Sequence, residues 1–223
     1  MIIMYSIPKT GTSTVEYSAR ITPSFKTIIL NRENFSESLH SIVSNNEQYD
    51  LISRHRISSS LVTSISKDRH NVITMTLWRE PAPQIVSAYH YDLDYKYKFH
   101  IPFFLWYHFL IPKNPQSSHL CRRYASRFVK SLYLSEKDLN FIRSVLTTFD
   151  YVIPTEQIDD IIPAIFRNHF SLDEEFTLVR RKTTGRDYMR RIDLSADLRA
   201  RLNRENMLDY LIHKEFIDKV SAI

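Results

Sequence analysis

The runs MIIMYSI, at positions 1–7, and NVITMTL, at positions 71–77, restrict the fold more than any other feature of the chain. Both are short, apolar and rich in β-branched residues, the composition of buried strands. The first is stopped by Pro8, and the second runs into Arg79, Glu80 and Pro81. A helical pattern follows each: Thr12 to Arg20 after the first, and after the second a segment opened by Pro81 with Ile85, Val86 and Tyr89 at helical spacing. Lys26 to Leu30, Asp50 to His55 and Tyr151 to Ile153 read as further strands. Strands alternating with helices predict an α/β fold, a P-loop-like three-layer arrangement with a mostly parallel central sheet flanked by helices. Ligands of such sheets bind beyond the carboxyl ends of the strands.

The remaining segments fill in this frame. A helix through Leu61, Val62 and Ile65 is expected after the 50–55 strand. Residues 92–133 are dense in aromatic and basic side chains and read as mostly helical, with breaks near Pro102, Pro112 and Pro115. Ser135 with Asp138 forms a capping-box start for a helix ending near Phe149. Glu156 to Phe170 reads as another helix. A single long closing helix is expected from Ser195, with Leu198, Leu202, Leu208, Leu211, Ile212 and Phe216 on one stripe. With 223 residues and no repeat or low-complexity linker, the chain is expected to be one domain, 1–223, with 92–133 as a helical insert.

Composition narrows the function. A formal charge of +5, with no dominating basic run, fits small anionic ligands, and no nucleic-acid partner is expected. Cys121 is alone, so no intrachain disulfide forms and a thiolate cluster is disfavoured. His100, His108 and His119 are scattered without metal-ligand spacing, and no metal is expected. No window approaches the ~18 apolar residues of a membrane span, and no basic stretch precedes the N-terminal apolar run. The expectation is a cytoplasmic, bacterial-type enzyme, with a soluble catalytic domain from a membrane-anchored parent as the alternative.

Two stretches carry the chemistry. In IPKTGTSTV, positions 7–15, a strand gives way to a helix through a Lys, a Gly and a cluster of hydroxyl residues. Free amides and the helix dipole make such a turn an anion site, and Lys9 adds a cation. The nucleotide pattern GxxxxGK[ST] is not met: Lys9 precedes Gly11, the first Gly is missing, and no hydroxyl follows a P-loop Lys to hold Mg²⁺. The shorter loop wraps one phosphate more readily than a triphosphate chain. In LWREPAPQIVSAYHY, positions 77–91, Arg79 lies just past a strand, where it can clamp a phosphate, and Ser87 follows about two helical turns later.

Together these stretches resemble the sulfotransferases that use 3′-phosphoadenosine 5′-phosphosulfate (PAPS). IPKTGTSTV is similar to their 5′-phosphosulfate loop, PK[TSC]G[TG][TS]. WREPAPQIVSAYHY is similar to their 3′-phosphate motif, R-[DE]-P-x-x-x-x-x-S-x-Y. RRKTTGRDY, positions 180–188, is similar to the RKTT-type loop of uronyl and heparan 2-O-sulfotransferases, and NMLDYLIHKEF to the closing helix of carbohydrate-type members. Residues 92–133 match no part of the family. The resemblance implies that Lys9 neutralises the leaving oxygen, that Thr10, Gly11, Thr12, Ser13 and Thr14 hold the 5′-phosphate, and that Arg79 and Ser87 hold the 3′-phosphate. It implies that Arg181, Lys182, Thr183 and Thr184 close over the 3′-phosphate and adenine side, with Gly185 allowing the turn.

The acceptor hydroxyl needs a base, and His55, at a strand end between the two motifs, is the best placed. The 2-O-type enzymes place a catalytic His there, often as GH-x-x-[FY]; here Arg54 replaces the Gly and Ser58 the aromatic residue. Its cationic neighbours Arg54 and Arg56 disfavour the imidazolium and leave a neutral base. Glu80, His90 and Glu156 are rivals, Glu80 being expected rather to brace the phosphate loop. The expected reaction moves a sulfuryl group from PAPS, leaving 3′-phosphoadenosine 5′-phosphate (PAP), to a hydroxyl of a carbohydrate or glycoconjugate. The alternatives are a P-loop-type small-molecule kinase and a non-catalytic nucleotide binder.

Overall fold

The computed structural model describes residues 1–30, 49–54, 72–97, 101–124, 135–170, 176–179 and 192–220. The chain is α/β, and among the described residues five parallel strands are flanked by helices. The strands are β1 (Ile2–Tyr5), β2 (Thr27–Ile29), β3 (Leu51–Arg54), β4 (Ile73–Trp78) and β5 (Tyr151–Pro154). The described helices are α1 (Thr12–Ile21), α2 (Pro81–Tyr95), α3 (Phe103–Phe109), α4 (Pro115–Tyr124), α5 (Glu136–Leu146), α6 (Ile158–His169), α7 (Ala196–Glu205) and α8 (Met207–Val220). A 3₁₀ turn, Thr155–Gln157, leads into α6. Among the described residues no helix is long and apolar enough to cross a membrane.

The sheet order is β2-β3-β1-β4-β5. β1 pairs in parallel with β3 on one side (Ile2 beside Leu51, Tyr5 beside Arg54) and with β4 on the other (Ile2 beside Ile73, Tyr5 beside Thr76). β1 and β4 are buried throughout, which is why their sequences are nearly unbroken runs of large apolar and β-branched residues. After β1 the chain turns towards the β2 edge, and after β4 towards the β5 edge. Their carboxyl ends therefore form the topological switch point, where open α/β sheets place their ligands.

The chain divides into two compact units. The first takes the described parts of Met1–Ile7, Gly11–Leu77 and Phe149–Arg181. Its core sets Ile2, Met4, Met75 and Leu77 of the sheet against Val15 and Ala19 of α1 and Ile158, Ile162 and Phe166 of α6. Each such side chain contributes about 1.5–3 kcal/mol on burial. Phe166 stacks on Phe176 at 4.2 Å and on Phe25 at 5.1 Å, closing the bottom of this core.

The second unit takes the described parts of Pro8–Thr10, Trp78–Thr148 and Lys182–Ile223. In its core Ala82, Ile85, Val86 and Tyr89 of α2 meet Phe103, Trp106 and Tyr107 of α3 and Leu202 of α7. The Tyr89 hydroxyl donates to the Ile101 carbonyl at 2.7 Å, and the Trp106 indole to Asp92 at 3.0 Å, so both buried polar tips are satisfied. The expected capping box at α5 is present: Ser135 N donates to Asp138 Oδ2 at 2.7 Å, and Asp138 N to Ser135 Oγ at 3.3 Å.

The closing segment differs from expectation. It is two helices, α7 and α8, broken at Asn206, and Leu211 faces out at 39% exposure instead of joining a continuous stripe. The cause is polar and non-local. Asn206 is fully buried; its side chain donates to the Tyr107 hydroxyl at 2.9 Å and accepts from Asn114 N at 2.7 Å. Asn114 Oδ1 in turn accepts from Leu208 N and Asp209 N at 3.0 and 3.2 Å and caps α8. Asp209 reciprocates at the start of α4, taking Gln116 N and Ser117 N, each at 2.9 Å. The apolar periodicity of the sequence carries no sign of this exchange of caps. The helix expected through Leu61, Val62 and Ile65 lies outside the described residues.

Candidate functional site

In the first unit the loop after β1 ends at Gly11, whose φ of 89° is left-handed and places it as the cap of α1. A Cβ on Gly11 would meet Thr155 Cγ2 at 3.2 Å, so glycine serves both backbone conformation and space. Thr14 N donates back to the Gly11 carbonyl at 2.9 Å. The amides of Thr12 and Ser13 donate to no acceptor among the described residues. They are the orphan donors of a helix N-terminus, with the dipole behind them. Thr12 is buried, Ser13 exposed and Thr14 half-buried. Beneath the loop, Glu16 accepts from Ser6 at 3.1 Å and from Ser53 at 2.5 Å, tying α1 to the ends of β1 and β3.

The second unit holds Lys9 and Arg79. Lys9 has a φ of 67°, costly for a residue with a Cβ, and the surroundings compensate. Arg79 Nη1 donates to the Lys9 carbonyl at 3.2 Å, and Gln84 Nε2 donates to the Pro8 carbonyl at 3.0 Å. Arg79 stands where β4 ends, and its own main chain is gripped by Gln116 through two hydrogen bonds of 2.9 and 2.7 Å. The Lys9 ammonium lies 3.2 Å from the centroid of the Tyr91 ring. Burial lowers its pKa to about 8, against an opposing pull from Asp92. Thr10 is fully buried, and Ser87 is half-buried on α2.

Two of the rival bases are engaged by neighbours. The Glu80 carboxylate is held by Arg199 at 2.5 to 3.0 Å and by Asn203 at 2.5 Å, so it fastens α7 to the start of α2 instead of bracing the loop. His90 Nε2 accepts from Ile192 N at 2.9 Å. Glu156 is exposed in the 3₁₀ turn. His55, Arg181, Lys182, Thr183, Thr184 and Gly185 lie outside the described residues; His55 directly follows Arg54, the last residue of β3.

Sequence reasoning singled out Lys9, Gly11 and Arg79 but not Gln84, Tyr91 and Gln116, which touch Pro8, Lys9 and Arg79. Gln84 and Tyr91 lie inside the second motif and could have been singled out by their place on α2. Gln116 had no local signal, because its partner is 37 residues away. The described residues can offer an anion two free amides from the first unit, and the second unit holds a half-buried ammonium whose loop is fastened by a guanidinium. No known family model matches the chain, and no curated protein matches it either.

Proposed function

We propose that the chain is a PAPS-dependent sulfotransferase acting on a hydroxyl of a carbohydrate or glycoconjugate. One observation carries the reading: the loops leaving the neighbouring strands β1 and β4 hold Lys9 and Arg79, and Arg79 Nη1 bonds the Lys9 carbonyl at 3.2 Å. The two motifs that resemble the 5′- and 3′-phosphate elements of sulfotransferases thus follow paired strands. The fit to the donor also rests on chemistry. Two orphan amides and one lysine ahead of the glycine suit one phosphate, whereas a triphosphate with Mg²⁺ would want a longer glycine loop and a following hydroxyl.

In this reading Thr10, Gly11, Thr12, Ser13 and Thr14 bind the 5′-phosphate through amides and hydroxyls. Arg79 and Ser87 bind the 3′-phosphate, and Arg181, Lys182, Thr183 and Thr184, turning at Gly185, cover it. The bond from sulfur to the 5′-phosphate oxygen breaks, and its electron pair stays on that oxygen, where the Lys9 ammonium neutralises it. A new bond forms from sulfur to the acceptor oxygen, whose proton passes to His55. Sulfuryl transfer, like phosphoryl transfer, is governed by in-line positioning and fixed positive charge.

Calorimetric titration with PAP, AMP and ATP, on the native chain and on Arg79→Ala, tests the reading. The expected result is tight PAP binding, weaker AMP binding, and a loss of roughly 10–100-fold for PAP in the variant, the value of one charge-assisted contact at about 1.5–3 kcal/mol. ATP binding as tightly as PAP, with no effect of Arg79→Ala, would refute it.

A further inference from the structure

The second unit contains a pocket of about 180 Å³ whose lining includes Lys9, Gln84, Ile111, Pro112, His119 and Arg122. No acidic side chain is among the described residues that line it. An engineered cavity of about 150 Å³ accepts a benzene ring, so the space is large enough for one six-membered ring. Ile111 and Pro112 offer that ring apolar contact.

Two of the lining residues carry polar groups with no hydrogen-bond or ion-pair partner among the described residues. Gln84 is 4% exposed, and its Nε2 is spent on the Pro8 carbonyl, which leaves Oε1 as a buried acceptor with no donor. A buried amide oxygen without a partner carries a desolvation penalty that a ligand hydroxyl would relieve. Arg122 stands exposed on α4 and makes no hydrogen bond or ion pair with any described residue, so its charge is uncommitted. Lys9 supplies a second cation on the same wall, already half-buried and lacking a counter-ion in contact.

We infer that this pocket binds a single hydroxylated six-membered ring bearing an anionic group, the ring hydroxyl donating to Gln84 and the anion pairing with Arg122. The assignment of this ring as the sulfuryl acceptor rests on the sulfotransferase reading; the binding itself does not. Arg122 then selects the acceptor by charge, and Gln84, fastened to the same loop as Lys9, sets the ring beside the ammonium. A sugar acid and an aromatic hydroxy acid share this chemistry.

Ligand-observed NMR titration of the full chain with D-glucuronate, 4-hydroxybenzoate, D-glucose and phenol separates the sources. Saturable binding of at least one of the two anions is expected, about tenfold tighter than its neutral counterpart and weakened about tenfold by Arg122→Gln. Arg122 is exposed and makes no hydrogen bond or ion pair with any described residue, so this variant is expected to fold, which its thermal melt checks. Whichever anion binds more tightly identifies the ring class. Absence of saturable binding for both anions, equal binding of the neutral rings, or an unchanged Arg122→Gln overturns the inference. PAP is titrated into the same samples. PAP binding without anion binding sinks the pocket and spares the sulfotransferase reading, whereas anion binding without PAP binding does the opposite.

Discussion

The Gln116 side chain bridges the Arg79 main chain at two points: Arg79 N donates to Gln116 Oε1 at 2.9 Å, and Gln116 Nε2 donates to the Arg79 carbonyl at 2.7 Å. Gln116 is fully buried, and its own amide donates to Asp209 Oδ2 at 2.9 Å. The residue that follows β4 is thereby gripped by a side chain from α4, as a neighbouring strand would grip it, and the grip is anchored to α8. Gln116→Leu, close in size, leaves both Arg79 main-chain groups without their partner. Each lost buried partner costs roughly 1–3 kcal/mol, so urea unfolding should show a loss of about 2 kcal/mol or more. Gln116→Glu sets a carboxylate oxygen against the Arg79 carbonyl and buries a charge, and should cost at least as much as Leu. A Leu variant as stable as the native chain would mean that the bridge contributes nothing.

Lys9 gives the site a pH dependence. Burial brings its pKa down to about 8, with Asp92 opposing. The ammonium is the form that attracts a phosphate; it is nearly complete about one pH unit below that value and is lost as the pH rises through it. PAP affinity should hold steady through neutral pH and then fall by up to about tenfold per unit as the pH rises past 8. Lys9→Met should flatten that limb while keeping the Arg79-dependent part of the affinity. Calorimetry across the range reads both; a native profile flat through pH 9 would separate Lys9 from the bound anion.

Much of this organisation was written in local sequence. β1 and β4 were legible because strands buried in a parallel sheet keep an apolar, β-branched composition, and α2 because Pro81 opens it. Ser135 and Asp138 announced the start of α5. Lys9 and Arg79 were singled out because each follows an apolar strand pattern directly in the sequence. What stayed hidden is what depends on distant partners. The break at Asn206 serves Asn114, 92 residues away, and the capping of α4 by Asp209 spans a similar interval. Glu80 was expected at the phosphate loop and instead binds Arg199 and Asn203, a choice set by where α7 docks. The left-handed Lys9 was also hidden, since only Gly11 advertises such a backbone by its identity.

Asp209 is fully buried, and burial raises its pKa to about 6, against hydrogen bonds from Ser117 and Gln116 that pull it down. The folded chain therefore holds this proton more tightly than the unfolded chain does. The contribution to stability is complete below the ordinary value of 3.8 and is lost as the pH rises from there to about 6. Asp209→Asn removes the titration. The stability difference, native minus variant, should shrink as the pH rises through that window, and a carboxyl ¹³C titration of the native chain should show one group with a midpoint near 6. A group titrating near 4 would show that the capping amides outweigh burial.

Gly11 and Thr155 test the anion loop without any ligand. Gly11 has a φ of 89°, and an added Cβ would lie 3.2 Å from Thr155 Cγ2. Gly11→Ala combines two penalties: about 1–2 kcal/mol for a left-handed residue with a Cβ, and a smaller amount for displacing the Thr155 methyl. Thr155→Ser deletes that methyl. The double variant should recover only the steric part, so Gly11→Ala with Thr155→Ser should remain at least about 1 kcal/mol less stable than Thr155→Ser alone. Thermal unfolding of the four chains forms the cycle. Full recovery in the double variant would mean that contact with Thr155, and not the backbone, reserves this position for glycine. A loop that accepted alanine with no loss in either background would not be held in the left-handed turn that carries the chain into α1.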